Sequence, residues 1–288
     1  MKRRFAVAAG GTAVGAALLL SGCTGDGSSG TAGTIKMSAN EALVKSSQKT
    51  GQADTFKATL TVNDGREGAK VRASGQFRLK PQLAFSAKLD EFSKGGQAVS
   101  GVQGQAIFTG DVLYARVPQL AQFVAGGKPW LRIDVNQVAQ RTGFDVKSLI
   151  DQVEQVNPAE QTRMFTASKD VRRVGEESLD GVKTTHYTGT VTVREALAKL
   201  DPQVRQKVEQ RFGAGAANEK INFDLWTDGD NLPRKLVSKG SGANGHNGSV
   251  EVRYSDYGKS FNVNPPPADQ VGQLSLEGLL GGTPTPRN

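Results

Sequence analysis

Val71-Arg72-Ala73-Ser74-Gly75-Gln76-Phe77-Arg78-Leu79 is followed, across Lys80-Pro81-Gln82, by Leu83-Ala84-Phe85-Ser86-Ala87-Lys88-Leu89. In the first run Val71, Ala73, Gly75, Phe77 and Leu79 alternate with Arg72, Ser74, Gln76 and Arg78. In the second, Leu83, Phe85, Ala87 and Leu89 alternate with Ala84, Ser86, Lys88 and Asp90. A period of two with one polar face marks a half-buried antiparallel strand, whereas a helix repeats every 3.6 residues. The break at Lys80-Pro81 turns the second strand back on the first, so Phe77 and Leu79 share a face with Leu83, Phe85, Ala87 and Leu89.

The same pattern extends in both directions. Upstream, Phe56, Ala58, Leu60 and Val62 alternate with Lys57, Thr59 and Thr61, and Asn63-Asp64-Gly65 starts a turn. Further strands are expected at 98–108, 112–117, 130–135, 169–174, 182–193, 220–227, 232–239 and 249–257. Asp228-Gly229-Asp230-Asn231 reads as a hairpin turn. The helical signals are few. Ser38 and Glu41 form a capping box ahead of a helix that ends at Gly51. Asp145 can cap a segment with Val146, Leu149, Ile150 and Val153 on one face. Asn157-Pro158 starts a short helix, and Thr192 with Glu195 makes a second capping box before Leu197, Leu200, Val204, Val208 and Phe212. Pro202 puts a bend in that last stretch. Helices that interrupt a strand series, rather than alternate with it, give an α+β fold. The expected architecture is one curved antiparallel sheet, a half-barrel of about eleven strands, with helices on its concave face.

The ends of the chain are of another kind. Lys2, Arg3 and Arg4 precede an uncharged apolar run from Phe5 to Leu20, the order of a secretory signal peptide. Leu20-Ser21-Gly22-Cys23 closes it, and Cys23 is the single cysteine of the 288 residues. This resembles the lipobox of bacterial lipoproteins. The resemblance implies acylation of the Cys23 sulfur and cleavage before it; a plain secreted protein with a chance cysteine is the alternative. From Thr24 to Met37, Gly, Ser and Thr dominate, as in a flexible tether. Pro265-Pro266-Pro267 is expected to end regular structure. The expected organisation is therefore a signal peptide at 1–22, a lipidated tether at 23–37, a domain at 38–265 and a Pro/Gly-rich tail at 266–288.

Composition narrows the chemistry. The net charge of +8 is scattered, with no aromatic–basic cluster, and Lys2, Arg3 and Arg4 leave with the signal. Nucleic acid is not an expected partner. With Cys23 acylated, no thiol remains for a disulfide, a nucleophile or a metal ligand. His186 and His246 are the only histidines, one in a strand and one in a glycine-rich loop. No GxSxG, HExxH or GxxxxGK[ST] pattern is present, and nothing in the sequence places a serine beside a histidine and a carboxylate. Neither an enzyme, a cofactor nor a metal site is expected. Asp224, Asp228 and Asp230 lack the glycine and glutamate placement of a calcium loop. What the chain offers instead is apolar surface on strands and helices. Small inward residues such as Ala58, Ala73, Gly75 and Ala87 leave room for a cavity. Helices packed flush on the sheet would leave none, and composition does not separate the two.

Several stretches resemble the actinobacterial LppX/LprA/LprF/LprG lipoproteins, whose fold is like that of the carrier LolA and the periplasmic sensor domain of RseB. They are Lys128-Pro129-Trp130-Leu131-Arg132-Ile133, Asp224-Leu225-Trp226-Thr227-Asp228, Asn231-Leu232-Pro233-Arg234-Lys235 and Val250-Glu251-Val252-Arg253-Tyr254-Ser255-Asp256-Tyr257-Gly258. The resemblance implies a hydrophobic cavity between half-barrel and helices that holds an acylated lipid or glycolipid. Expected lining residues are Phe77, Leu79, Leu83, Phe85, Ala87 and Leu89, roofed by Leu149, Ile150 and Val153. It also implies a place on the outer face of the cytoplasmic membrane, held by diacylglyceryl-Cys23, and an envelope partner that exchanges the lipid. A sensor or accessory lipoprotein that binds a partner protein is the other role it allows.

Overall fold

The computed structural model describes residues 37–65, 68–99, 104–116, 118, 125–137, 157–200, 202, 205–206, 217–241 and 248–273. Helix α1 (Ala39–Thr50) starts at the expected box: the Ser38 hydroxyl accepts from the Glu41 amide and the Glu41 carboxylate accepts from the Ser38 amide. Two of the helix's orphan donors are satisfied in this way. Strands β1 (Thr55–Asn63), β2 (Lys70–Arg78), β3 (Ala84–Lys94), β4 (Gln97–Ala98), β5 (Gln105–Thr109), β6 (Val112–Arg116) and β7 (Trp130–Asp134) follow. Helix α2 (Pro158–Phe165) is capped by Asn157 with proline at its first position. Then come β8 (Arg172–Leu179), β9 (Val182–Thr192), α3 (Val193–Leu197), β10 (Lys220–Thr227), β11 (Pro233–Ser241), β12 (Ser249–Ser255) and β13 (Val271–Gln273).

The strands form a single curved sheet in the order β13-β7-β6-β5-β3-β2-β1-β12-β11-β10-β9-β8, with β4 paired to β3. All pairs except β13 with β7 are antiparallel. Chain order and sheet order agree except where β1, in the middle, pairs with β12 and where β13, at one edge, pairs with β7. Helices α1 and α2 lie together on the apolar face. The Ser47 hydroxyl donates to the Ala159 carbonyl at 3.2 Å, and Phe165 stacks on Phe223 of β10 at 4.4 Å. Leu43 of α1 and Phe56, Phe223, Leu225 and Val191 of the sheet are buried. Each such side chain contributes about 1.5–3 kcal/mol by leaving water.

The α+β architecture of a curved antiparallel sheet with helices on one face agrees with the expectation; the strand count does not. Thirteen strands are described rather than about eleven. The span expected as one strand at 98–108 holds two, β4 and β5. The strand expected at 169–174 runs instead from Arg172 to Leu179. Asp170 is held outside it, its carboxylate accepting from the Ser168 hydroxyl and the Thr190 amide. The prolines at 265–267 do not end regular structure. After them β13 runs parallel to β7, with Gly272 pressed against the chain: a Cβ there would lie 2.0 Å from the Ala125 carbonyl oxygen. Only glycine permits that approach. The segment of Leu149, Ile150 and Val153, the stretch of Val204, Val208 and Phe212, the signal and tether, His246 and the tail from 274 onward lie outside the described residues.

The caps also set an acid response. The Thr192 amide and hydroxyl, with Lys169, hold the Glu195 carboxyl down to about 2; Lys259 and Lys57 hold Asp256 down to about 2. Both lie well below the roughly 4 of an unfolded carboxylate. A lowered folded value stabilises above the unfolded value and loses that contribution as pH falls through the folded one. The thermal midpoint is therefore expected to hold from neutral pH to about 5 and to fall between about 4.5 and 2. Glu195→Gln should flatten part of that fall in a melting series across pH.

Candidate functional site: an apolar sheet face

Strand register places the apolar side chains in rows. Phe56, Phe77, Phe85, Phe108, Leu113 and Ile133 face one another across β1, β2, β3, β5, β6 and β7. Their rings pack in sequence, with centroids 5.2 Å apart for Phe56–Phe77, 6.0 Å for Phe77–Phe85 and 5.7 Å for Phe85–Phe108. The next row holds small residues, Ala58, Gly75, Ala87, Ala106 and Ala115, ending at Tyr254 of β12. Beyond it come Val252, Leu60, Ala73 and Leu89. Small side chains thus lie between a row of phenylalanines and a row of larger aliphatics.

The rows are not equally covered. Toward β9–β12 they are buried, with Leu225, Leu236, Val252 and Tyr254 at most 3% exposed. Burial pushes the pKa of the Tyr254 phenol up, and its hydroxyl has no hydrogen-bond partner among the described residues. Toward β2–β7 the same face is half-buried: Ala73, Leu89, Ala87, Ala106, Leu113, Ala115, Leu131 and Ile133 all retain partial exposure. Of the expected lining residues, Phe77 and Phe85 are core, while Leu79, Leu83 and Ala87 pack against it half-buried. Leu89 is half-buried in the outer row. The room expected at Gly75 is taken, because a Cβ there would lie 3.0 Å from Phe77 Cζ and 3.1 Å from Ala87 Cβ. The phenylalanine ring fills what the glycine leaves.

His186 lies on the opposite, polar face. Its Nε2 is 2.9 Å from Asp224 Oδ1 and its Nδ1 is 3.5 Å from Glu177 Oε1. Its ring stacks on Trp226 at 4.2 Å, the Trp226 Nε1–H donates to Glu177, and the Lys235 ammonium sits 4.7 Å over the indole. Sequence reasoning missed both carboxylates. The signal was parity: His186 and Thr188 alternate with buried Tyr187, and Asp224 and Trp226 with Phe223 and Leu225, so pairing β9 to β10 brings them together. Each ring nitrogen faces a carboxylate, and among the described residues no serine is bonded to the imidazole. His186→Ala is expected to cost about 1 kcal/mol in denaturant unfolding, the size of one net hydrogen bond. Any lipid recovered with the protein should be unchanged, because the apolar face is on the other side.

No protein-family model matches the chain. An uncharacterised 31.2 kDa protein from the rplA–rplJ intergenic region of Streptomyces griseus is 31% identical over 261 residues, 87% of this chain and 84% of that one. A Streptomyces coelicolor protein named "Putative lipoprotein" is 26% identical over 234 residues, covering 79% and 72%. Among solved structures, the Mycobacterium tuberculosis lipoprotein LppX matches with 15% identity and a TM-score of 0.47, over 78% of this chain and 98% of its own. LprF from Mycobacterium bovis matches with 15% identity and a TM-score of 0.48, over 79% and 96%.

Proposed function

This chain belongs to the same family as the 31.2 kDa Streptomyces griseus protein, and from that premise, joined to the apolar face above, we propose a membrane-anchored lipoprotein that binds an acylated lipid or glycolipid. The observation that carries the reading is the half-buried apolar area of β2–β7, continuous with a fully buried core under α1 and α2. A soluble domain rarely leaves such a surface without a use. An acyl chain gains about 0.8 kcal/mol per buried methylene, so a few turns of chain outweigh any one polar contact. The lipoprotein name of the Streptomyces coelicolor relative supports the anchor at Cys23, as does the signal-like start of the sequence. The protein then works outside the cytoplasmic membrane and carries lipid across the envelope to a partner. Binding, not catalysis, is its role in this reading.

Native mass spectrometry of the protein purified from a lipid-rich host tests this. A co-purified acylated species of one or a few defined masses is expected. A protein that carries no lipid from any host would overturn the reading in favour of a protein-binding role.

A further inference from the structure

We propose a second binding site, for an uncharged saccharide, on the polar face of the sheet. A sheet whose other face carries the core should present here a shallow, solvated surface. Instead a cavity of about 540 Å³ crosses it. Outward side chains of β12, β1, β2, β3 and β5 line it, Ile107 among them, together with Ala58, Gly75, Ala87 and Tyr254 of the small-residue row, Asp180 and Trp130.

The wall at Asp180 has a physical origin. Asp180 is the turn residue between β8 and β9, and Arg253 is on β12, three strands away from β9. His186, Trp226, Lys235 and Arg253 mark one line across those strands, and Asp180 lies six positions before His186. In a flat sheet that separation is on the order of 20 Å. The Arg253 guanidinium nonetheless lies 3.3 Å from the Asp180 carboxylate. The β8–β9 hairpin therefore bends over the polar face. The cluster around His186 braces it from beneath, through Glu177 of β8 bonded to Trp226 of β10.

The lining selects the ligand class. Each cation in it already has an acid: Lys57 meets Asp256 at 2.8 Å, Lys88 meets Asp90 at 2.9 Å, and Arg253 meets Glu251 at 2.8 Å. An anion would have to displace a carboxylate, and a cation an ammonium. What remains of the polar lining is the hydroxyls and amides of Thr59, Ser74, Gln76, Ser86, Gln105 and Ser255. Neutral donors and acceptors in a row, with charged pairs that can share a hydroxyl, suit a polyhydroxylated, uncharged ligand. A cavity of this size takes a short oligosaccharide, not a single ion. The cavity shares Ala58, Gly75, Ala87 and Tyr254 with the small-residue row of the apolar face, while its polar side chains point to the other side.

The test uses the full chain and a panel of uncharged tri- and tetrasaccharides of glucose, mannose, galactose, arabinose and N-acetylglucosamine, with inorganic phosphate as the anionic control. Binding is read by saturation-transfer NMR and titration calorimetry. At least one saccharide is expected to bind at or below millimolar Kd, and phosphate is not. Gln76→Ala with Gln105→Ala should weaken it about tenfold with an unchanged thermal midpoint, since both line the cavity and neither is buried. No binding by any saccharide at 10-fold above millimolar concentration, phosphate bound in its place, or saccharide binding unaffected by the double substitution would each overturn the proposal.

Discussion

Ala87→Trp is expected to give a folded protein from which lipid recovery is cut by an order of magnitude or more. Ala87 sits mid-row between Gly75 and Ala106, half-buried, with the phenylalanine row on one side and Ala73 and Leu89 on the other. An indole there occupies the space an acyl chain would use, at about 0.8 kcal/mol per methylene displaced. It adds no charge, so the face stays apolar. Phe85→Asp would be a poorer probe: Phe85 is 5% exposed, stacked on Phe108 and tilted against Phe77, and a buried unpaired carboxylate would destabilise the whole sheet. If the face is instead a closed core, the indole overpacks it at a cost of about 1–3 kcal/mol. Thermal unfolding and co-purified lipid, measured on the same preparation, separate the cases. A stable Ala87→Trp protein with full lipid occupancy would remove this face as the binding surface.

Cys23→Ala should abolish fatty-acid labelling and membrane retention altogether. Cys23 is the only sulfhydryl in the chain, so no neighbouring residue can take over thioether formation. Stable anchoring needs two hydrophobic signals, which a diacylglyceryl group supplies and a free tether does not. The substituted protein is expected in the uncleaved or soluble pool, unlabelled by a clickable fatty acid. Undiminished label would remove the anchor, and the localisation that rests on it. Because Cys23 is outside the domain, the melting curve should not move, which separates this loss from that of Ala87→Trp.

The elements of the fold were legible wherever local rules act alone. Ser38 with Glu41, Asn157 with Pro158 and Thr192 with Glu195 announce helix starts because a cap is satisfied within four residues. Phe77 and Phe85 could be placed opposite each other because a short turn leaves one register that keeps both in the core. Period-two alternation likewise fixed which side chains of each strand face inward.

Pairings between distant segments were decided elsewhere. Nothing local in Thr55–Asn63 says that its second neighbour is Ser249–Ser255, because that contact closes most of the chain and is chosen by total burial. The same holds for β13, three residues after a proline run, whose only local trace is a glycine where Ala125 comes too close for a side chain. Glu177, His186 and Asp224 met because three strands paired, and Asp180 reached Arg253 because the sheet's twist bends the β8–β9 hairpin over its polar face. By itself the sequence determined most of the strands, their inward sides and the caps, since each is settled by neighbours in the chain. Only the tertiary structure decided that the room at Gly75 is filled by Phe77, that the half-buried apolar area lies toward β2–β7, and that the polar face holds a cavity, because those depend on side chains brought together from far apart.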